Sequence, residues 1–195
     1  SSTDPSGGVF YPDYFGKNFV LNDLTHEGGL TAIRIEGPIN SVDQRLNRLS
    51  KELGLLNQEL SILDNEQSNI FWNRTKNLKV FKNLKSNLLR IVVPISETLQ
   101  VIQKLKNYET KYFIDWGGSL IWASFDQLNA KILNEIKDIV KKHQGYTTLI
   151  KVEEDLKASA DIFTIDPIKY KISEKIKRSF DPKRIFNPGK MYTGI

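Results

Sequence analysis

Lys111 to Asp115 (KYFID) and Leu120 to Ser124 (LIWAS) are two short β-type runs separated only by Trp116-Gly117-Gly118-Ser119. Glycines supply the positive φ of tight turns, so the stretch predicts a β-hairpin. An antiparallel hairpin set among helical segments points to an α+β fold rather than a doubly wound parallel sheet.

The flanking sequence extends that reading. Leu30 to Glu36 alternates and reads as a strand ended by Gly37-Pro38. Asn40 or Ser41 then caps a helix with Val42, Leu46, Leu49 and Leu53 on one face and Gly54 past its end. A short helix follows Asp64 and carries Ile70, Phe71 and Trp72. Leu88 to Val93 is a strand bounded by Pro94, and Ser96 caps a helix with Leu99, Ile102 and Leu105 together. Ser124-Phe125-Asp126-Gln127 resembles a capping box for a helix with Leu128, Ile132, Ile136, Ile139 and Val140 inward. Gly145 stops it, Tyr146 to Val152 is a further strand, and Asp166-Pro167 opens a last helix with Ile168, Ile172 and Ile176 inside. The order β-α-(α)-β-α-β-β-α-β-α makes a ferredoxin-like antiparallel sheet, with helices on one face and an irregular C-terminal tail, the leading architecture. Residues 1–28 show no period and read as a linker or irregular segment. Their opening, SSTDPSGG without an initiator Met, fits a piece cut from something longer.

Composition narrows the chemistry. With 39% hydrophobic and 26% charged residues the 195-residue chain is globular, neither disordered nor fibrous. There is no Cys, hence no disulfide, thiolate metal site or cysteine nucleophile, and only His26 and His143. No metal site is expected. Net charge is +5; the last 65 residues hold 14 basic and 9 acidic residues, the rest 14 of each. A solvated lysine-rich helix face accounts for this excess, and an anionic partner is the alternative. No apolar run approaches the roughly 18–20 residues that span a bilayer, and the N-terminus lacks signal-peptide features. A cytoplasmic protein is the expectation. Asn73-Arg74-Thr75 is a lone sequon of little weight.

No GxGxxG, GxxxxGK[ST], HExxH or GxSxG occurs. Glu153-Glu154-Asp155 reads as a solvated loop. The RNA-binding strand signature is absent, so Tyr112, Phe113, Trp116 and Trp122 are taken as core and hairpin aromatics and no nucleic-acid partner is expected. Two segments stand out: Ile114 to Trp122, and Phe180-Asp181-Pro182-Lys183-Arg184-Ile185-Phe186-Asn187-Pro188-Gly189-Lys190-Met191-Tyr192. In the second, two prolines and a glycine fix an irregular backbone that presents an amide and an ammonium.

The second segment resembles the C-terminus of FAD-linked oxidases of the vanillyl-alcohol-oxidase type, and more closely the FAD-binding E subunit of bacterial glycolate oxidase. That subunit family has similar features in the same order: an RLEG strand (Arg34 to Gly37), an FW helix (Phe71-Trp72) and an LWR-hydrophobic-P strand (Leu88 to Pro94). A DWGG hairpin (Asp115 to Trp122) and an FNPG(R)MY ending follow. The His-rich HxGDGNxH segment of the catalytic relatives has no counterpart here, and the family's GGHAT is replaced by Gln144 to Thr148.

The resemblance implies a ferredoxin-like cap over 29–165, and a helix and tail over 166–195 that dock on an FAD-binding domain outside this chain. By motif match Asn187 and Lys190 approach the flavin and Pro188 and Gly189 aim them; no catalytic residue is assigned. An amide can donate to and accept from the flavin edge, and a cation stabilises negative charge on it. The implied function is the substrate side of an FAD-dependent 2-hydroxy-acid (glycolate-type) oxidoreductase, inactive alone. Its partners would be the FAD-binding N-terminal domain, other subunits of a glycolate-oxidase-like complex and a small 2-hydroxy acid. The alternative is a non-catalytic assembly module of such a complex. Either would place it in the cytoplasm, or on the inner membrane through its partners.

Overall fold

The computed structural model describes residues 3–16, 28–54, 60–82, 87–153, 156, 161–164, 166–189 and 195. The elements are β1 (Gly7–Tyr11), α1 (Asp13–Gly16), β2 (Leu30–Arg34), α2 (Ile39–Glu52), α3 (Asn65–Lys76) and β3 (Asn87–Val92). Then come α4 (Thr98–Leu105), β4 (Thr110–Asp115), β5 (Leu120–Phe125), α5 (Ala130–Lys142), β6 (Tyr146–Lys151) and α6 (Pro167–Phe180). The strands form one antiparallel sheet in the order β2-β1-β4-β5-β3-β6. The series β3-α4-β4-β5-α5-β6 with strand order β4-β5-β3-β6 is the ferredoxin-like arrangement. The α+β class expected from the hairpin is what the chain forms. It divides into two compact units, Ser1–Leu84 with Phe113–Gly118, and Lys85–Tyr112 with Ser119–Ile195.

In the second unit β3 is central, pairing with β5 and β6. Directly opposed residues share a face. Leu89 and Ile91 therefore lie beside Ala123 and Ile121 on one side and Leu149 and Thr147 on the other, and all are buried. Val101, Ile102 and Leu105 of α4 and Leu133, Ile136 and Val140 of α5 are buried too. The opposite sheet face carries Arg90, Trp122 and Thr148 in one cross-strand row, each half-buried. Gly145 sits where α5 turns into β6. A Cβ there would lie 2.4 Å from Val93 Cγ1 and 2.6 Å from the Val92 carbonyl. Only glycine lets the backbone pass so close.

In the first unit β1 pairs with β2 from Gly7↔Arg34 to Tyr11↔Leu30, and meets β4 at Phe10↔Ile114. Its core is aromatic: Tyr11 stacks on Phe113 (4.8 Å between centroids) and meets Phe15 and Phe71 edge-on, while Phe81 stacks on Phe113. The Tyr11 hydroxyl donates to Thr75 Oγ1 at 3.0 Å, and Thr75 donates in turn to the Phe71 carbonyl at 3.1 Å. Burial pushes the Tyr11 pKa far up. Arg45 of α2 ties down the N-terminal segment through the carbonyls of Thr3 (2.7 Å), Asp4 and Glu36 (2.9 Å).

Several local expectations shift. Residues 7–11, which show no sequence period, form β1 by pairing antiparallel with β2, a partner some twenty residues away in sequence. The α2 N-cap is Pro38, with no side-chain cap. The α4 helix starts at Thr98 after a 3₁₀ turn, Ile95–Glu97, and leaves Leu99 exposed. Ser124 and Phe125 stay in β5; the cap of α5 is Asn129, whose side chain accepts from the Ile132 amide. At α3 the reading holds, and Asp64 and Gln67 form a reciprocal capping box.

Candidate functional site

The α6 helix and the segment after it carry the candidate site. Asp166 is the N-cap. The Lys169 amide (3.0 Å), followed by that of Ile168 (2.9 Å), holds its carboxyl below the usual range, and Pro167 fills the first turn. Ile168, Ile172 and Ile176 do line up at helical spacing, but they face solvent rather than the interior: they are 71%, 53% and 54% exposed, and Phe180 is 85% exposed. The periodicity shows that α6 has an apolar face; among the described residues nothing covers it. Ile185 and Phe186 continue the exposed apolar surface beyond the helix.

The turn after α6 is organised by Asp181, whose role the sequence reading missed. Its carboxylate is buried and accepts from Lys177 Nζ at 2.7 Å and from the amides of Ile185 and Phe186, both at 2.9 Å. Lys177 Nζ also donates to the Phe186 carbonyl. The Lys177 hydrogen bond, then the two amides, outweigh burial and bring the Asp181 pKa down to about 2. The available signal was an Asp-Pro step four residues after a lysine. Asn187 follows in the left-handed region (φ 46), as do Arg184 (φ 52) and Gly189 (φ 68). Asn and Gly tolerate that conformation where most residues do not. Asn187, Pro188 and Gly189 are exposed, the Gly189 amide donates to the Ile195 carbonyl at 2.7 Å, and among the described residues the Asn187 side chain has no hydrogen-bond partner. Lys190 lies outside the described residues, and Asn187, Pro188 and Gly189 stand together as neighbours in the sequence.

Residues 163–191 match a family model described as FAD linked oxidases, C-terminal domain. The matched stretch contains α6, the Asp181-anchored turn and Asn187-Pro188-Gly189. No curated relative matches the chain. No helix among the described residues is long and apolar enough to cross a membrane. The residues present suit a flavin: an exposed amide with no hydrogen-bond partner among the described residues, fixed on a clamped turn, offers one acceptor and two donors to a polar ring edge.

The hairpin motif builds a second locality, within the first unit. A cleft of about 580 Å³ is lined by Ser6, Gly7 and Gly8 of the β1 end, Arg34 of β2, Trp72 of α3 and Asp115 to Gly117 of the turn. Trp116 has φ 52, and its amide donates to Asp115 Oδ1 at 2.7 Å. The Arg34 guanidinium lies 6.0 Å from the Trp72 ring centre, and its Nη2 reaches Glu36 Oε1 at 3.0 Å and Asn69 Oδ1 at 3.4 Å. His143 is engaged elsewhere, its Nδ1 2.6 Å from Glu97 Oε2 at the α5 C-terminus, and His26 lies outside the described residues. Among the described residues no group of three or more His, Asp or Glu is placed to hold a metal.

Proposed function

We propose that this chain is the cap and flavin-facing tail of an FAD-dependent oxidoreductase acting on a small 2-hydroxy acid of the glycolate type. The observation that carries the reading is the match of 163–191 to the FAD-linked-oxidase C-terminal domain, on a segment whose apolar face is open and whose turn is rigidly clamped. When bound, FAD supplies the hydride acceptor for oxidation of the hydroxy acid to the 2-oxo acid. This chain's residues do the positioning. Asp181 holds the turn; Asn187, aimed by Pro188 and Gly189, offers its amide to the flavin edge, and Lys190 offers a cation near it. The Ile168, Ile172, Ile176 and Phe180 face docks on the FAD-binding domain, which removes it from water at about 25 cal/mol per Å². In this proposal the assembly works in the cytoplasm, or on the inner membrane through other subunits.

The same open face supports the second reading, a non-catalytic assembly module. Flavin content separates the two. In the assembled flavoprotein, Asn187→Ala is expected to weaken flavin retention or slow its reduction by substrate. An unchanged spectrum and rate would leave assembly as the better account.

A further inference from the structure

We propose that the cleft between Arg34, Trp72 and Trp116 is a binding site for a planar monocarboxylate, with Arg34 as the carboxylate receptor. The inference is independent of the flavin reading, because every residue it uses lies outside 163–191. The volume, about 580 Å³, falls in the range of small-molecule clefts. Its floor is made of glycine: a Cβ on Gly7 would lie 3.1 Å from the Trp72 ring, and one on Gly8 3.3 Å from Gly117 Cα. The two glycines therefore let the Trp72 ring and the turn backbone pack directly against β1.

Arg34 is only partly used. Its Nη2 serves Glu36 and Asn69, and among the described residues nothing accepts from Nε or Nη1. The guanidinium fork matches a carboxylate, and the Trp72 face beside it supports the cation. The Glu36 carboxylate is half exposed, so that ion pair orients the guanidinium without neutralising it strongly. Trp116, a large residue in the left-handed region and 55% exposed, is strained to present its indole at the cleft. Asp115 also lines the space, with Oδ1 turned to its own turn amide. A second negative charge on the ligand would meet that carboxylate, so a monocarboxylate is favoured over a dicarboxylate. Two indole walls favour a flat, conjugated body.

The test titrates benzoate into this chain without flavin, read by tryptophan fluorescence and by the indole N–H resonances. A saturable response that moves the Trp72 and Trp116 signals is expected. Neutral benzamide and ring-free glycolate should each bind about tenfold more weakly or worse. Arg34→Gln should lose about tenfold or more, with Arg34→Lys in between. Trp116→Ala, which removes an exposed and strained side chain, should keep the unfolding midpoint and lose the response. No saturable response, equal binding of benzamide or glycolate, or full binding by Arg34→Gln or Trp116→Ala would each overturn the site.

Discussion

Asp181 shows how one buried carboxylate orders the turn from 181 to 186. Its pKa falls from 3.8 to about 2, chiefly through Lys177, so its contribution is fully present above about pH 4 and is lost as pH drops through about 2. Amide-exchange protection at Ile185 and Phe186 should follow that window, and Asp181→Asn should lower it already at neutral pH. Protection that stays constant from pH 4 to 2 would remove Asp181 from this role. Two core positions make sharper stability predictions. Gly145→Ala drives a methyl into Val93, Val140 and the Val92 carbonyl, and should cost about 1–3 kcal/mol in urea unfolding. Tyr11→Phe removes the donor to Thr75 Oγ1, while Thr75 keeps its bond to Phe71, so about 1 kcal/mol is expected.

At the scale of elements, what the sequence reveals is local chemistry. The α3 start was legible from Asp64, whose side chain accepts from the Gln67 amide three residues on. The hairpin was legible because Gly117 and Gly118 supply positive φ, although the strained Trp116 before them was not. The β1 strand was hidden, since five residues opening with Gly7-Gly8 show no alternation and depend on partners distant in sequence. The α6 helix was half legible. Its period and its Asp166-Pro167 start are in the sequence, but no period says what covers an apolar face. That separation is testable. Ile172→Gln with Ile176→Gln should leave the unfolding of this chain within about 0.5 kcal/mol, because both are exposed, and should abolish docking in the assembled flavoprotein by size-exclusion analysis. A large loss of stability in the chain alone would mean the face is already packed.

For the whole molecule, the scarcity of reactive side chains takes on a different meaning. A chain with no Cys and two His, one of them paired with Glu97, is poor material for independent catalysis. Under the proposed function such a chain needs only to position a substrate and one edge of a cofactor, the cofactor supplying the redox chemistry. The most direct measurement is the flavin absorbance of the purified assembly containing this chain, taken anaerobically before and after adding glycolate. The account predicts bound FAD that glycolate bleaches, with Asn187→Ala losing flavin or bleaching more slowly. An assembly that carries no flavin, or one whose flavin retention and reduction are unchanged by Asn187→Ala, would contradict it.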